Sequence, residues 1–190
     1  AFKAVMDGKQ VALLAPTTAE AQQKIGPKVG VPLKAAQDAI QKKNWNGALA
    51  KIKEAQAVQP RTGFEDYKIN ELLWYVYLQQ GRNADAARLL EQQIASGQMP
   101  AGEKVQRTKT LAQLYFRGGS YGKAIQAANQ YLKSAPGDQE MQLLVAQAHF
   151  QQKDYKSAVA TAERIAKGQA RPSEDLLQLM QRSYYELKDE

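Results

Sequence analysis

The stretch that decides the fold spans residues 111–136 and reads LAQLYFRGGSYGKAIQAANQYLKSAP. Apolar residues recur at helical spacing on both sides of its double glycine. They are Leu111, Ala112, Tyr115 and Phe116 before the glycines, and Ala124, Ile125, Ala128 and Tyr131 after them. Gly118 and Gly119 break the first helix, and Pro136 ends the second because proline cannot donate into the helix ladder. The stretch therefore predicts two antiparallel amphipathic helices joined by a tight turn.

Three further segments of the chain align with this one without gaps. In each, an alanine follows the turn, and the four alanines are spaced by 38, 38 and 34 residues. They are Ala48, Ala86, Ala124 and Ala158. Four prolines have a similar period, with spacings of 40, 36 and 36 residues: Pro60, Pro100, Pro136 and Pro172. Two interleaved periodic series indicate an array of repeated helix pairs.

The composition of the 190 residues agrees with a helical chain, since 54 of them are Ala or Gln and β-branched residues are sparse after the first thirty. The absence of cysteine and the single histidine exclude disulfides, cysteine-based metal sites and multi-histidine metal sites. We interpret His149 as a packed or half-buried residue of a first helix. We expect no catalytic residue, no metal and no cofactor, so an enzyme is disfavoured.

The third repeat resembles the tetratricopeptide repeat family, which combines small residues at a helix crossing with aromatics and a terminal proline. The matching residues are Leu111-Ala112, Tyr115, Gly119-Ser120-Tyr121, Ala124, Ala128 and Pro136. The first repeat matches at Ala36, Ala39, Asn44-Trp45, Ala48, Ala55 and Pro60, and the fourth at Ala146, Phe150, Asp154-Tyr155, Ala158 and Ala162. The second repeat departs from the pattern, with Trp74 in place of a small residue and Asn83 in place of an aromatic.

The resemblance implies an all-α fold, namely a right-handed α-solenoid of antiparallel helix pairs with about four units plus a C-terminal helix. We place the repeat domain at residues 32–190. Its units are residues 32–60, 61–100, 101–136 and 137–171, followed by a terminal helix over 172–188. Residues 1–31 are a leader and linker outside the repeat, with the linker at 25–32 and Pro32 near the start of the first helix.

In this family the first helix of each unit lines a concave groove, so the resemblance implies that these helices bind a partner. Exposed positions four to five residues apart on the first helices include Glu71 and Tyr75. The candidate groove residues are Tyr75, Lys109, Gln113, Phe116, Arg117, Gln147, Phe150, Gln151 and Arg182. An amide-rich, mildly basic surface with aromatic edges suits an extended peptide or a helix with acidic character. We therefore expect a non-enzymatic scaffold or adaptor for protein–protein interaction.

Two alternatives to this function stay open. The net charge of +7 peaks at +5 in residues 101–136, which points to nucleic acid or an anionic surface. The basic residues there are spaced singly, which favours a solvated helix face and disfavours nucleic acid. The second alternative is self-association through the terminal helix or the leader. The sequence also has no apolar stretch long enough for a transmembrane helix.

The location of the protein is predicted from residues near the N-terminus. Ala19 and Ala21 form an Ala-x-Ala pattern like that of a signal cleavage site. Residues 29–33, which lead into the repeats, are similar to those of exported repeat proteins of Gram-negative bacteria. The resemblance therefore implies a bacterial protein in the periplasm, and the alternative location is the cytoplasm.

Overall fold

Residues 24–188, which the computed structural model describes apart from the side chain of residue 101, form nine α-helices and no β-strand. Residues 1–23, including the Ala-x-Ala pattern and most of the proposed leader, lie outside this part. The helices are α1 Pro27–Gln41, α2 Trp45–Ala57, α3 Gly63–Gln79, α4 Asn83–Ala95, α5 Ala101–Arg117, α6 Tyr121–Leu132, α7 Gln139–Gln151, α8 Tyr155–Lys167 and α9 Glu174–Lys188.

The helices divide between two compact units, one ending at Gln98 and the other beginning at Met99. In the first unit α1 packs on α2 and α3 on α4, and the two pairs meet through contacts of α3 with α1 and α2. In the second unit α5 packs on α6 and α7 on α8, while α6 contacts α7 and α8 contacts α9. Because short turns join the partners of each pair, the helices within a pair run antiparallel. The predicted all-α fold of stacked helix pairs is confirmed.

The four periodic alanines are buried near the start of the second helix of each pair, as the repeat pattern expects of a helix crossing. Ala48, Ala86, Ala124 and Ala158 are all 0% exposed. Helix axes approach to about 8–10 Å where the contacting side chains are small. Each alanine follows the first residue of a second helix by three positions, so the period of the alanines matches that of the helix pairs.

The turns inside the four pairs share one backbone geometry. Each contains a residue with positive φ, five positions before the periodic alanine: Lys43 at 55°, Gly81 at 72°, Gly119 at 75° and Lys153 at 62°. In the third pair Ser120 N donates to the carbonyl of Tyr115 at 2.8 Å, and Gly119 N donates to that of Phe116 at 3.1 Å. These two bonds form a Schellman motif, and the other three turns repeat it. Two of the turns therefore place a lysine where glycine is favoured.

The sequence predicted that the periodic prolines end the second helix of each pair. In the structure these helices end before the prolines are reached. Helix α2 ends at Ala57 and α6 ends at Leu132, before Pro60 and Pro136 are reached. Pro100 instead lies immediately before the first residue of α5. The prolines thus occupy the connections between pairs, where the preceding helix has already ended.

The first helix begins earlier than the sequence predicted. The prediction of a linker at 25–32 is wrong from Pro27 onward, where the chain is already helical. Pro32 therefore lies inside α1. Pro27 is the first residue of α1, where a backbone N–H would have no partner within the helix. Pro32 lies further along, so the helix lacks one backbone hydrogen bond there. Val29 and Leu33 are both buried in the core on either side of Pro32. Their burial offsets the missing hydrogen bond.

The second pair accommodates the bulky Trp74 through aromatic packing. Trp74 is buried, and its ring meets that of Tyr75 edge to face, with 6.4 Å between centroids and 87° between planes. The ring of Tyr75 also meets that of Trp45 on α2 at 6.4 Å. The departure from the repeat pattern therefore leaves the α3–α4 pair intact, with Ala86 still at the crossing.

The start of α3 is fixed by a capping box that also holds the start of α1. Glu65 N donates to the Thr62 hydroxyl at 3.1 Å, and Thr62 N donates to Glu65 Oε2 at 2.8 Å. The second carboxylate oxygen of Glu65 accepts from Gly26 N at 2.9 Å. The hydrogen bond from the Thr62 backbone lowers the pKa of Glu65, and the hydrogen bond from the Gly26 backbone lowers it further. Together they outweigh burial, which acts in the opposite direction.

Candidate functional site

The predicted groove residues fall mainly on the first helices of the second unit. These helices are neighbours, since α5 contacts α7 and α7 contacts α9. We call the surface that they form the α5–α7–α9 face. It carries Lys109, Gln113, Phe116 and Arg117 on α5, Gln147, Phe150 and Gln151 on α7, and Arg182 on α9. Tyr75 lies in the first unit, on α3.

The expected exposure of the α3 positions is wrong. Tyr75 is only 7% exposed, and Glu71 is also buried. The Lys68 ammonium lies 2.9 Å from Glu71 Oε2, and its nitrogen is 5.4 Å from the ring centres of Phe64 and Tyr67. The periodicity of α3 did not indicate this buried ion pair, because a lysine and a glutamate three residues apart usually lie on a solvated face.

Lys109 joins α5 to the beginning of α7. Its ammonium nitrogen lies 2.8 Å from Asp138 Oδ2 and 2.9 Å from Glu140 Oε2. Asp138 is the N-cap of α7, where it accepts from Met141 N at 3.1 Å, and it also accepts from the Tyr131 hydroxyl at 2.9 Å. The lysine thus holds a carboxylate that already caps the next helix.

The charges of this cluster stabilise one another despite partial burial. Burial opposes the charged form of Lys109, but the hydrogen bonds and charges of Asp138 and Glu140 outweigh it and raise its pKa above the usual range. Burial likewise opposes ionisation of Asp138, and the hydrogen bonds from Lys109, Met141 and Tyr131 lower its pKa. Both groups are therefore charged at neutral pH.

Gln113 makes a second link between the same two helices. Its side-chain amide donates to Glu140 Oε1 at 2.7 Å. Lys109 and Gln113 are therefore committed to the packing of α7 on α5. Their side chains support the face rather than offering unsatisfied groups to a partner.

The two predicted phenylalanines take part in the same contact in successive pairs. The ring of Phe116 at the end of α5 meets Tyr121 at the start of α6, with 5.5 Å between centroids and 69° between planes. The ring of Phe150 on α7 meets Tyr155 on α8 at 5.3 Å and 62°. In both pairs the edge-to-face contact joins the end of the first helix to the start of the second.

An open depression lies between α7 and α9. Its lining residues are Phe150, Gln178, Gln181, Arg182, Tyr185 and Glu186. Phe150 and Arg182 are thus the two predicted groove residues that meet in one concavity. Tyr185 is 67% exposed, although large aromatic side chains usually bury more of their surface. Sequence reasoning missed Gln181 and Glu186 as lining residues, because the apolar pattern of α9 does not specify which side faces α7.

The polar residues of the face differ in whether they are already engaged. Among residues 24–188 the side chains of Gln147, Gln151 and Arg182 have no hydrogen-bond or ion-pair partner, whereas Arg117 already interacts with another group. Arg182 and Gln151 are exposed. Arg182 is the predicted cation that remains available to an external carboxylate in the described part of the face.

His149 lies close to the turn between α7 and α8 and is half-buried. Its Nδ1 is 3.2 Å from Asp154 Oδ2, but the two atoms are not aligned for a hydrogen bond. Within the described helices and turns, no group of three or more acidic or histidine side chains could hold a metal ion. None of the nine helices in residues 24–188 is both long and apolar enough to span a bilayer.

Comparison with known proteins agrees with this geometry. Residues 109–175 match the family model described as tetratricopeptide repeat. The solved structure MamA MSR-1 is 13% identical with a TM-score of 0.58, and the match covers 86% of this chain and 88% of that one. A tetratricopeptide repeat protein from Parabacteroides merdae is 18% identical with a TM-score of 0.57, over 86% of this chain and 64% of that one. No curated protein matches the sequence. At these identities the likenesses show the fold.

Proposed function

We propose that this chain, a tetratricopeptide repeat protein, is a non-enzymatic scaffold that binds a segment of a protein partner on the α5–α7–α9 face. The fold supports a protein-interaction scaffold in general. The proposed binding site is the depression between α7 and α9, and the proposed ligand is a peptide or a helix. The observation that carries the proposal is the meeting of Phe150, Arg182 and the exposed Tyr185 at one concavity.

The chemistry of the depression defines the segment that it suits. Phe150 and Tyr185 provide aromatic surface, and aromatic residues near a concave centre are typical of binding hot spots. Arg182 provides an unengaged guanidinium within the described residues, beside the amides of Gln178 and Gln181. A segment with an apolar or aromatic side chain next to Asp or Glu would fill the depression and pair with Arg182.

The composition supports recognition over catalysis. The chain contains no cysteine and one histidine, so two common types of nucleophile and general base are scarce. The engagement of Lys109 and Gln113 with α7 also shifts the proposed contact towards α9. Export to the periplasm remains a separate proposal, which rests on the sequence pattern at residues 19–33.

Selection from a random peptide phage library tests the proposal without a known partner. We expect enrichment of peptides that place an aromatic or aliphatic residue beside an acidic one. A synthetic consensus peptide should bind Arg182→Glu at least about tenfold more weakly than the wild type, because the attraction between Arg182 and the peptide carboxylate becomes a repulsion between two carboxylates. Arg164→Glu changes the charge by the same amount on an exposed position of α8 and serves as the matched control.

The two variants separate site binding from a general effect of charge. Retained affinity in Arg164→Glu together with loss in Arg182→Glu supports the site. Equal loss in both variants, or selected peptides that are indifferent to Arg182→Glu, would contradict it. Tyr185→Ala provides an independent check, since removal of the exposed ring should weaken the same peptide.

A further inference from the structure

Unpaired positive charge lies along the outer side of α8. We call this set the basic stripe, and its five members are Lys153, Lys156, Arg164, Lys167 and Arg171. Lys156, Arg164 and Lys167 are on the helix itself, with Lys153 in the turn before it and Arg171 after its end. All five are exposed.

The helix period places the three helical members on one side. Residues separated by eight and eleven positions lie within about a quarter of a turn of each other on an α-helix. The opposite side of α8 is buried against the rest of the unit through Ala158, Ala162 and Ile165. The basic stripe therefore faces away from the core.

The cations of the basic stripe are not held in ion pairs. None of the five cations has an ion-pair or hydrogen-bond partner for its side chain among the residues that the structure describes. Asp154 and Glu163 lie beside the stripe, so five positive and two negative charges leave a net charge of +3 there. Asp154 accepts from Ser157 N at 3.1 Å as the N-cap of α8, and Glu163 accepts from the Tyr184 hydroxyl.

The basic segment that the sequence singled out behaves differently. Within residues 101–136, Lys109 pairs with Asp138 and Glu140, and Arg107 lies 3.6 Å from Glu103. Asp138 and Glu140 are counted with residues 137–171, where they lower the summed charge. In the folded protein they instead neutralise Lys109, which is counted with residues 101–136. Residues 101–136 therefore offer less available positive charge than their sum suggests, whereas all five cations along α8 remain outside ion pairs.

Exposed apolar side chains adjoin the basic stripe. Helix α9 packs on α8, and Tyr184 on α9 reaches Glu163, the neighbour of Arg164. Tyr184 is 41% exposed, and Leu177, seven residues earlier on the same side of α9, is 50% exposed. Cations and exposed Leu and Tyr side chains thus form one continuous surface.

We propose that this surface binds the face of a bilayer that contains anionic phospholipid. Clusters of four to eight Lys or Arg residues attract such lipids, and Tyr is favoured at the membrane interface. Long basic side chains can reach phosphates while their stems cover apolar surface. A polynucleotide would use the cations but would gain little from Leu177, so the apolar neighbours favour lipid.

Lipid binding on this surface goes beyond the peptide site and is compatible with it. Arg182 and Tyr185 line the depression towards α7, whereas Leu177 and Tyr184 lie on the side of α9 towards α8. The chain could therefore hold a protein segment while its α8 side rests on a membrane.

Co-sedimentation with vesicles tests the proposal. The full chain should bind vesicles of phosphatidylcholine and phosphatidylglycerol in equal parts, bind pure phosphatidylcholine far less, and lose binding as salt increases. The triple variant K156Q/R164Q/K167Q should weaken binding by at least about tenfold. The matched control K28Q/K34Q/K42Q removes the same charge from exposed lysines in and just after α1.

The outcomes separate this surface from net charge and from nucleic acid. The proposal predicts that the control stays within about threefold of the wild type and that Leu177→Ser weakens vesicle binding. Equal losses in the two triple variants, no effect of Leu177→Ser, or no binding to anionic vesicles would each overturn it. Tighter binding to a short DNA duplex than to the anionic vesicles would also overturn it, in favour of nucleic acid.

Discussion

The ammonium nitrogen of Lys109 lies 2.8 Å from Oδ2 of Asp138, so a side chain in the middle of α5 holds the cap of α7. Each partner is less than one fifth exposed, which limits screening by water. The contact spans 29 positions in the sequence and joins two successive helix pairs. It fixes the position of α7, which contributes Phe150 to the depression.

Removal of the lysine charge should destabilise the second unit. In Lys109→Met the two carboxylates remain close together without a cation, and we expect a loss of about 1–3 kcal/mol in the free energy of unfolding. Lys104→Met is the matched control, because Lys104 is an exposed residue of α5 whose side chain has no partner in the described region. Urea unfolding measures both variants. Equal stability of the two would show that the contact contributes nothing.

The same contact predicts the direction of an acid effect. A carboxyl whose pKa is lowered in the folded state stabilises the protein above its unfolded pKa, and this stabilisation is lost as pH falls through the folded pKa. Asp138 is such a group, so its contribution should begin to fall below about pH 4 and should be lost only below its lowered folded pKa. Asp138→Asn should be less stable than the wild type at pH 7, and the difference should shrink at pH 3.

Urea midpoints measured from pH 7 to pH 3 test this expectation. Asp38→Asn provides the control, since Asp38 is exposed on α1 and its side chain has no partner among residues 24–188. Its stability difference from the wild type should be small and nearly constant over this range. A difference between Asp138→Asn and the wild type that does not change with pH would argue against a depressed pKa.

The alanine at a helix crossing should not tolerate a larger side chain. Ala124 is fully buried between α5 and α6, so Ala124→Leu should cost about 1–3 kcal/mol through overpacking. Ala160→Leu on the exposed side of α8 adds the same atoms without a neighbour to displace. Differential scanning calorimetry should therefore show a lower Tm for Ala124→Leu alone. An unchanged Tm would mean that position 124 is not at the crossing.

The lysine with positive φ in the last turn offers a stabilising substitution. Lys153 has φ of 62°, a conformation that is unfavourable for a residue with a Cβ atom. We expect Lys153→Gly to raise the free energy of unfolding by about 0.5–1 kcal/mol. Lys156→Gly, in the first turn of α8, should instead lower it, by up to the cost of about 1 kcal/mol that glycine has in a helix interior. If both glycines destabilise the protein, the turn does not hold Lys153 in this conformation.

The helix pairs could be predicted because the sequence repeats the residues that packing requires. Ala48, Ala86, Ala124 and Ala158 recur since each crossing needs a small side chain, and Gly81 and Gly119 mark two of the turns. Lys43 and Lys153 gave no such signal, because the neighbouring helices impose the turn on a residue that does not favour it. Pro32 led to the wrong prediction of a linker. Proline disfavours the interior of a helix, but the burial of Val29 and Leu33 outweighs this preference.

The candidate site was harder to predict because its details depend on tertiary contacts. The helical period placed Phe150 on the first helix of its pair and Arg182 on the terminal helix, and both line the depression. It did not reveal that Lys109 is held by Asp138 and Glu140, since those acids belong to the next pair. Nor did it reveal that Tyr75 packs between Trp45 and Trp74. Local periodicity identifies a face, but neighbouring helices decide which residues on it are available.

Site-specific photo-crosslinking in the native cells tests the central claim most directly. A benzophenone amino acid is placed at Tyr185, which lines the depression and is 67% exposed, and in parallel at Ala160 on the outer side of α8. We predict a discrete crosslinked protein adduct from position 185, reduced by Arg182→Glu, with no such adduct from position 160. The absence of a protein adduct at position 185, or the same adduct from both positions, would contradict a partner site between α7 and α9.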